Sequence, residues 1–110
     1  MFHLVELRLK DLKEACRKYS VERLDLFGSA AAGSFRPGSS DLDFVVRFAD
    51  RSPTGSYAER FLDFADALER IFGCEVHLVT DESIGNPFLR REIENSRETV
   101  YERFNQEAPV

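Results

Sequence analysis

The chain has 110 residues, 43% hydrophobic and 32% charged, which suits a single globular domain spanning 1–110 with one core. Its 20 acidic residues outnumber 15 basic ones, for a net charge of −5. This excludes a general nucleic-acid binder, which needs surplus Lys and Arg to displace phosphate counterions. No apolar run approaches the roughly 20 residues that span a bilayer, and the start MFHLVE lacks the basic and long apolar stretches of a signal peptide. The expectation is a cytoplasmic protein with no membrane contact. Cys16 and Cys74 sit among apolar neighbours and fit no ligand cluster, so they read as two buried free thiols.

Along the chain, Val5, Leu9, Leu12, Cys16 and Tyr19 recur on one helical face, which predicts an amphipathic helix over residues 3–19 ending at Ser20. Residues 21–27, with Leu24 and Leu26 on one side, predict a strand leading into Gly28. GSAAAGSFRPGSS, residues 28–40, reads as a loop with room for one helical turn over 29–32. In DLDFVVRF, residues 41–48, Leu42, Phe44, Val46 and Phe48 share one face and Asp41, Asp43, Val45 and Arg47 the other. That predicts a strand with one buried face and two carboxylates opening the opposite face.

Ser56 and Glu59 form a capping box before a stripe of Tyr57, Phe61, Phe64, Ala65, Leu68, Ile71 and Phe72, a helix that Gly73 ends. Residues 74–79 read as a third strand. Asn86 as N-cap with Pro87 behind it opens a last helix, whose apolar positions Leu89, Ile93, Val100 and Phe104 are interrupted by Ser96. The Arg90–Arg91 pair and Arg97 read as a solvated face of that helix. The fold class is α+β (α/β): a small mixed sheet of three or more strands with helices packed on it, in the order α-β-β-α-β-α.

The chemistry concentrates where a strand ends in Gly28-Ser29 and the next begins with Asp41 and Asp43. Carboxylates at i and i+2 of a strand point the same way, roughly 6–7 Å apart at about 3.3 Å per residue. Like charges held together on a buried strand are costly unless a cation joins them. Mg²⁺ suits them, because it takes hard oxygen ligands and commonly uses one or two carboxylates plus substrate phosphates. Gly28 permits close backbone approach, and Ser29 offers a hydroxyl and an N–H suited to a phosphate. The competing reading makes Asp41 a turn cap, Asp43 a surface carboxylate and Ser29 a plain turn residue.

The segment LFGSAAAGSFRPGSSDLDFVV, residues 26–46, resembles the signature of the nucleotidyltransferase superfamily of polymerase beta-like enzymes, and above all its small stand-alone members, the minimal nucleotidyltransferases or MNT proteins. The first helix, VHLVT (76–80) and NPFLRREIENSRETVYE (86–102) extend the likeness over nearly the whole chain. The resemblance implies a nucleotidyltransferase fold. In it Asp41 and Asp43 hold Mg²⁺ or Mn²⁺, and Gly28, Ser29, Ser40 and Arg36 bind ATP or another nucleoside triphosphate. It also implies transfer of a nucleoside monophosphate, AMP from ATP, to a protein hydroxyl. The implied partner is a HEPN-domain toxin, for which this chain is the antitoxin. A homodimer is compatible with the small open sheet.

Two departures stand out. The family usually places an Asp on the third strand, and the matching residue is His77, with Glu75 two positions earlier on the same face. Many relatives carry Arg immediately before the residue matching Gly33, where this chain has Ala32; Arg36 and Arg47 are candidate replacements. The resemblance therefore leaves two functions open: an adenylyltransferase using His77 or Glu75 beside the aspartates, or a weak or inactive fold that neutralises its partner by binding alone.

Overall fold

The computed structural model describes residues 2–36, 41–49 and 55–103, with no side chains described for 55 and 56. The elements follow the order α1 (His3–Leu7), α2 (Leu9–Lys18), β1 (Val21–Phe27), α3 (Gly28–Ala32), β2 (Leu42–Phe48), α4 (Gly55–Phe72), β3 (Val76–Thr80), α5 (Pro87–Ser96) and β4 (Glu98–Glu102), with a 3-10 turn at Asp81–Ser83. The four strands form one mixed sheet in the order β3-β2-β1-β4. Strand β1 runs antiparallel to β2 and to β4, while β2 and β3 are parallel. A parallel pair needs a crossover rather than a hairpin, and α4 supplies it.

Register puts Leu24 opposite Val46 and Leu26 opposite Phe44, so the apolar sides of β1 and β2 make one continuous surface. Helices α1, α2 and α4 cover it. Val5, Leu12, Cys16, Phe64 and Leu68 are fully buried against Leu24, Leu26, Leu42, Phe44, Val46 and Phe48. Edge-on, stacked and tilted aromatic contacts fill the layer: Phe48 lies 6.0 Å from Phe64, Phe44 5.9 Å from Phe72, and Tyr19 5.8 Å from Phe64. Burial of each such side chain is worth about 1.5–3 kcal/mol. The expected alternation of β2 is thus present, and Gly73 ends α4 with a φ of 67°. The opposite sheet face carries a smaller cluster of Phe27, Val45, Ile84 and Ile93, roofed by α5.

Three expectations need correction. The helix over 3–19 is two helices. Arg8 leaves helical geometry (φ −112°, ψ 16°) and separates α1 from α2, yet the apolar face continues across the break. The last helix does not run toward Phe104. It stops at Ser96, Arg97 is extended (φ −63°, ψ 139°), and residues 98–102 form β4 against β1. The reason is that β1 needs a second antiparallel neighbour to satisfy its backbone groups. Cys74 is half-buried rather than buried, although Cys16 is fully enclosed. Phe104, Ser40 and the side chain of Ser56 lie outside the described residues, so the capping box does too.

Candidate functional site

Strand β1 delivers the chain to Gly28 at the sheet's second face, beside the start of β2. Gly28 has a φ of +73°, and a Cβ built there would run into Oδ2 of Asp43. Both features require glycine: the left-handed backbone, and the lack of space between this turn and the carboxylate. The first turn of α3 is therefore seated directly against Asp43. The Gly28 N–H donates to Ser96 Oγ at 3.2 Å, and Ser96 Oγ donates to the Glu92 carbonyl at 2.9 Å. Helix α5 is thereby tied to the same turn.

Asp41, just ahead of β2, is exposed, while Asp43 is half-buried with 23% of its side chain accessible. Desolvation raises the Asp43 carboxyl above its ordinary value; His77 opposes that, and the charges of Asp41 and Glu92 add to it. His77 faces Asp43 across the parallel β2–β3 pair, its Nδ1 3.4 Å from Asp43 Oδ1. Glu75 is exposed ahead of β3, and its carbonyl accepts the Leu42 N–H at 3.1 Å.

These donors suit a hard divalent cation. Asp43 carries a desolvated negative charge that two further carboxylates make costlier, and a cation between Asp41 and Asp43 relieves it. Among the described residues no group of three or more His, Cys, Asp or Glu side chains is arranged to hold a metal ion. Mg²⁺ commonly takes one or two carboxylates from protein when phosphates complete its shell, and Asp41 and Asp43 are the carboxylates at this end of β2.

In front of this edge lies an open cleft of about 680 Å³ between α3 and α5, within the roughly 300–1,000 Å³ range of small-molecule sites. Gly28, Ser29, Ala32 and Ser34 line one wall, and Phe88, Arg91, Glu92, Asn95 and Ser96 the other. Arg36 is exposed and is not among the lining residues.

The α5 wall was not expected from the sequence. Its lining residues recur at the three- and four-residue spacing of one helical face, the face turned away from the buried Ile93. The Arg90–Arg91 pair splits: Arg91 lines the cleft, whereas Arg90 donates to the Ile84 carbonyl at 2.9 Å.

Arg47, a candidate phosphate contact, is committed elsewhere. Its guanidinium donates to Asp81 at 2.8 Å and lies 3.8 Å from Glu22. It joins a second charge cluster around fully buried Asp25, which accepts from Arg97 at 2.7 Å and from Arg23 at 3.1 Å. Arg97 is thus no solvated residue. Together with Ser96 it anchors the end of α5 to β1, which fixes the distance between the cleft walls.

The chain matches the nucleotidyltransferase domain family over residues 9–100 and belongs to it. A candidate protein adenylyltransferase of Methanocaldococcus jannaschii, MJ1379, is 37% identical over 94 residues, covering 78% of this chain and 91% of that one. Among solved structures, a candidate minimal nucleotidyltransferase superposes with a TM-score of 0.68 at 26% identity, over 86% of this chain and 90% of that one. Two toxin-antitoxin structures share the fold at lower identity. One, containing AMP-PNP, has a TM-score of 0.66 at 19% identity over 90% and 77% of the two chains. The other, a tri-AMPylated Shewanella oneidensis HEPN toxin bound to its MNT antitoxin, has a TM-score of 0.56 at 20% identity over 93% and 76%.

Proposed function

We propose that this chain transfers AMP from ATP to a hydroxyl group on a protein, and that it acts in the cytoplasm as the antitoxin of a HEPN-domain toxin. The observation that carries the reading is the seating of Gly28 against Asp43, which sets the turn that lines the cleft beside a desolvated carboxylate; Asp41, Asp43 and His77 are not themselves among the lining residues. The candidate adenylyltransferase relative and the MNT antitoxin in complex with an AMPylated HEPN toxin support the choice of group and acceptor.

In this reading Asp41 and Asp43 would hold Mg²⁺ or Mn²⁺, which when bound would supply charge to offset that of the phosphates. Ser29 supplies its hydroxyl and N–H to the β- and γ-phosphates. The acceptor oxygen bonds to the α-phosphorus, the bond from that phosphorus to the bridging oxygen breaks, and pyrophosphate leaves. The acceptor proton passes to His77 or, less directly, to Glu75. Positioning and charge carry most of the rate in such phosphoryl chemistry.

One observation favours a second reading. His77 holds a strand position where a metal-binding carboxylate is expected, and its ring already engages Asp43. In that reading the chemistry has lapsed and the protein neutralises its toxin by complex formation. Both readings retain the nucleotide site. Calorimetric titration with AMP-PNP and Mg²⁺ tests it: the wild type binds, and the Asp41→Asn/Asp43→Asn double variant loses the Mg²⁺-dependent component. Its melting temperature does not fall, since a desolvated charge has been removed. Wild-type affinity in the double variant sinks the assignment.

A further inference from the structure

The α5 wall of the cleft contains a side chain that folding does not account for. Phe88 is 82% exposed, although burying a phenylalanine ordinarily stabilises a fold. A single exposed apolar residue is unremarkable by itself. Its placement is not. Phe88 lines the cleft at the second position of α5, where Pro87 opens the helix and the Phe88 N–H donates to the Asn86 side chain at 2.8 Å. The backbone that presents the ring is thus fixed by a capped, proline-started first turn. Arg91 and Asn95 follow at i+3 and i+7 and line the same cleft. The face therefore offers an aromatic surface, a cation and an amide, with the Glu92 carboxylate beside them, all facing the wall that carries Gly28 and Ser29.

We propose that this face of α5 is the nucleoside subsite of the cleft, with Phe88 stacking on the base and Arg91 and Asn95 contacting polar groups of the nucleotide. The inference rests on the nucleotide-transfer reading above and adds to it the residues that recognise the nucleoside end. An aromatic ring is the group suited to a base, since every base has a π-face. A cleft of about 680 Å³ also has room for more than a triphosphate tail. The exposed ring can be replaced without disturbing the core, so its variants report on binding.

The test compares two probes in the presence of Mg²⁺: AMP-PNP, which has a base, and inorganic tripolyphosphate, which has none. Phe88→Ala weakens AMP-PNP binding about ten-fold, the scale of one base–aromatic stack, and leaves tripolyphosphate affinity unchanged; Phe88→Trp keeps wild-type affinity for both. Unchanged AMP-PNP affinity in Phe88→Ala, with the wild type binding normally, overturns the subsite and spares the nucleotide site. Equal loss for both probes also overturns it, because the defect then lies in the cleft at large. If the wild type binds neither probe, the nucleotide-transfer reading itself fails and the subsite fails with it.

Discussion

The Nδ1 atom of His77 lies 3.4 Å from Oδ1 of Asp43, because the parallel register of β2 and β3 sets the two residues side by side. A histidine at that point can take up a proton or bind a softer metal, but it replaces a hard oxygen donor with a nitrogen. His77→Asp should therefore raise Mg²⁺-supported AMP transfer by about ten-fold or more, since it returns a hard oxygen donor for Mg²⁺ to the position beside Asp43. Transfer rates of the two proteins, measured on the same acceptor, decide it. An unchanged rate would exclude this position as the limiting one and point to Glu75, just ahead of β3, or to a site inert for other reasons.

The ion pair between Asp81 and Arg47 gives a pH-dependent prediction away from the cleft. The hydrogen bond from Arg47, at 2.8 Å, holds the Asp81 carboxyl below its ordinary value against partial desolvation. A carboxyl depressed on folding contributes stability that is fully present above its unfolded value, about 3.9, and lost as the pH falls through the lower folded value. Asp81→Asn should therefore destabilise the protein at neutral pH, by about 0.5–1 kcal/mol because the pair is partly screened by solvent. The difference from wild type should close in acid. Urea melts from neutral to acid pH measure it, and a gap that widens in acid contradicts the pair's role.

Phe44 tests the layer beneath the site. It is fully buried in β2, stacks on Phe72 at 5.9 Å, and adjoins Asp43 in sequence. Phe44→Ala should cost about 3–5 kcal/mol, a large share of the roughly 5–15 kcal/mol that holds an ordinary domain folded, and so lower the melting temperature sharply. Circular dichroism and a thermal melt check it. A folded variant with an unchanged melting temperature would place Phe44 outside the core.

What the sequence disclosed follows how local each signal is. The alternation of Leu42, Phe44, Val46 and Phe48 fixes β2 and aims Asp43 to the opposite face, so the core and the first half of the site could be read from a few adjacent residues. The break at Arg8 escaped because Val5, Leu12 and Cys16 stay on one buried face across it; periodicity reports the face and not the hinge. Strand β4 escaped because Val100 fits the helical spacing of Leu89 and Ile93. The β-branched and aromatic run Thr99-Val100-Tyr101 was the available signal, and Ser96, which looked like a flaw in the stripe, is the helix end. The α5 wall and the Asp25–Arg97 anchor join residues far apart in the chain, and only the packed sheet brings them together.

The most direct measurement is to incubate the protein with ATP, Mg²⁺ or Mn²⁺, and the product of the adjacent gene, the proposed HEPN partner, then weigh both chains by intact-mass spectrometry. The proposed function predicts a gain of one or more AMP units on the HEPN protein, lost in the Asp41→Asn/Asp43→Asn variant. A stable complex with no mass gain under either metal would contradict transfer and leave an antitoxin that acts by binding alone.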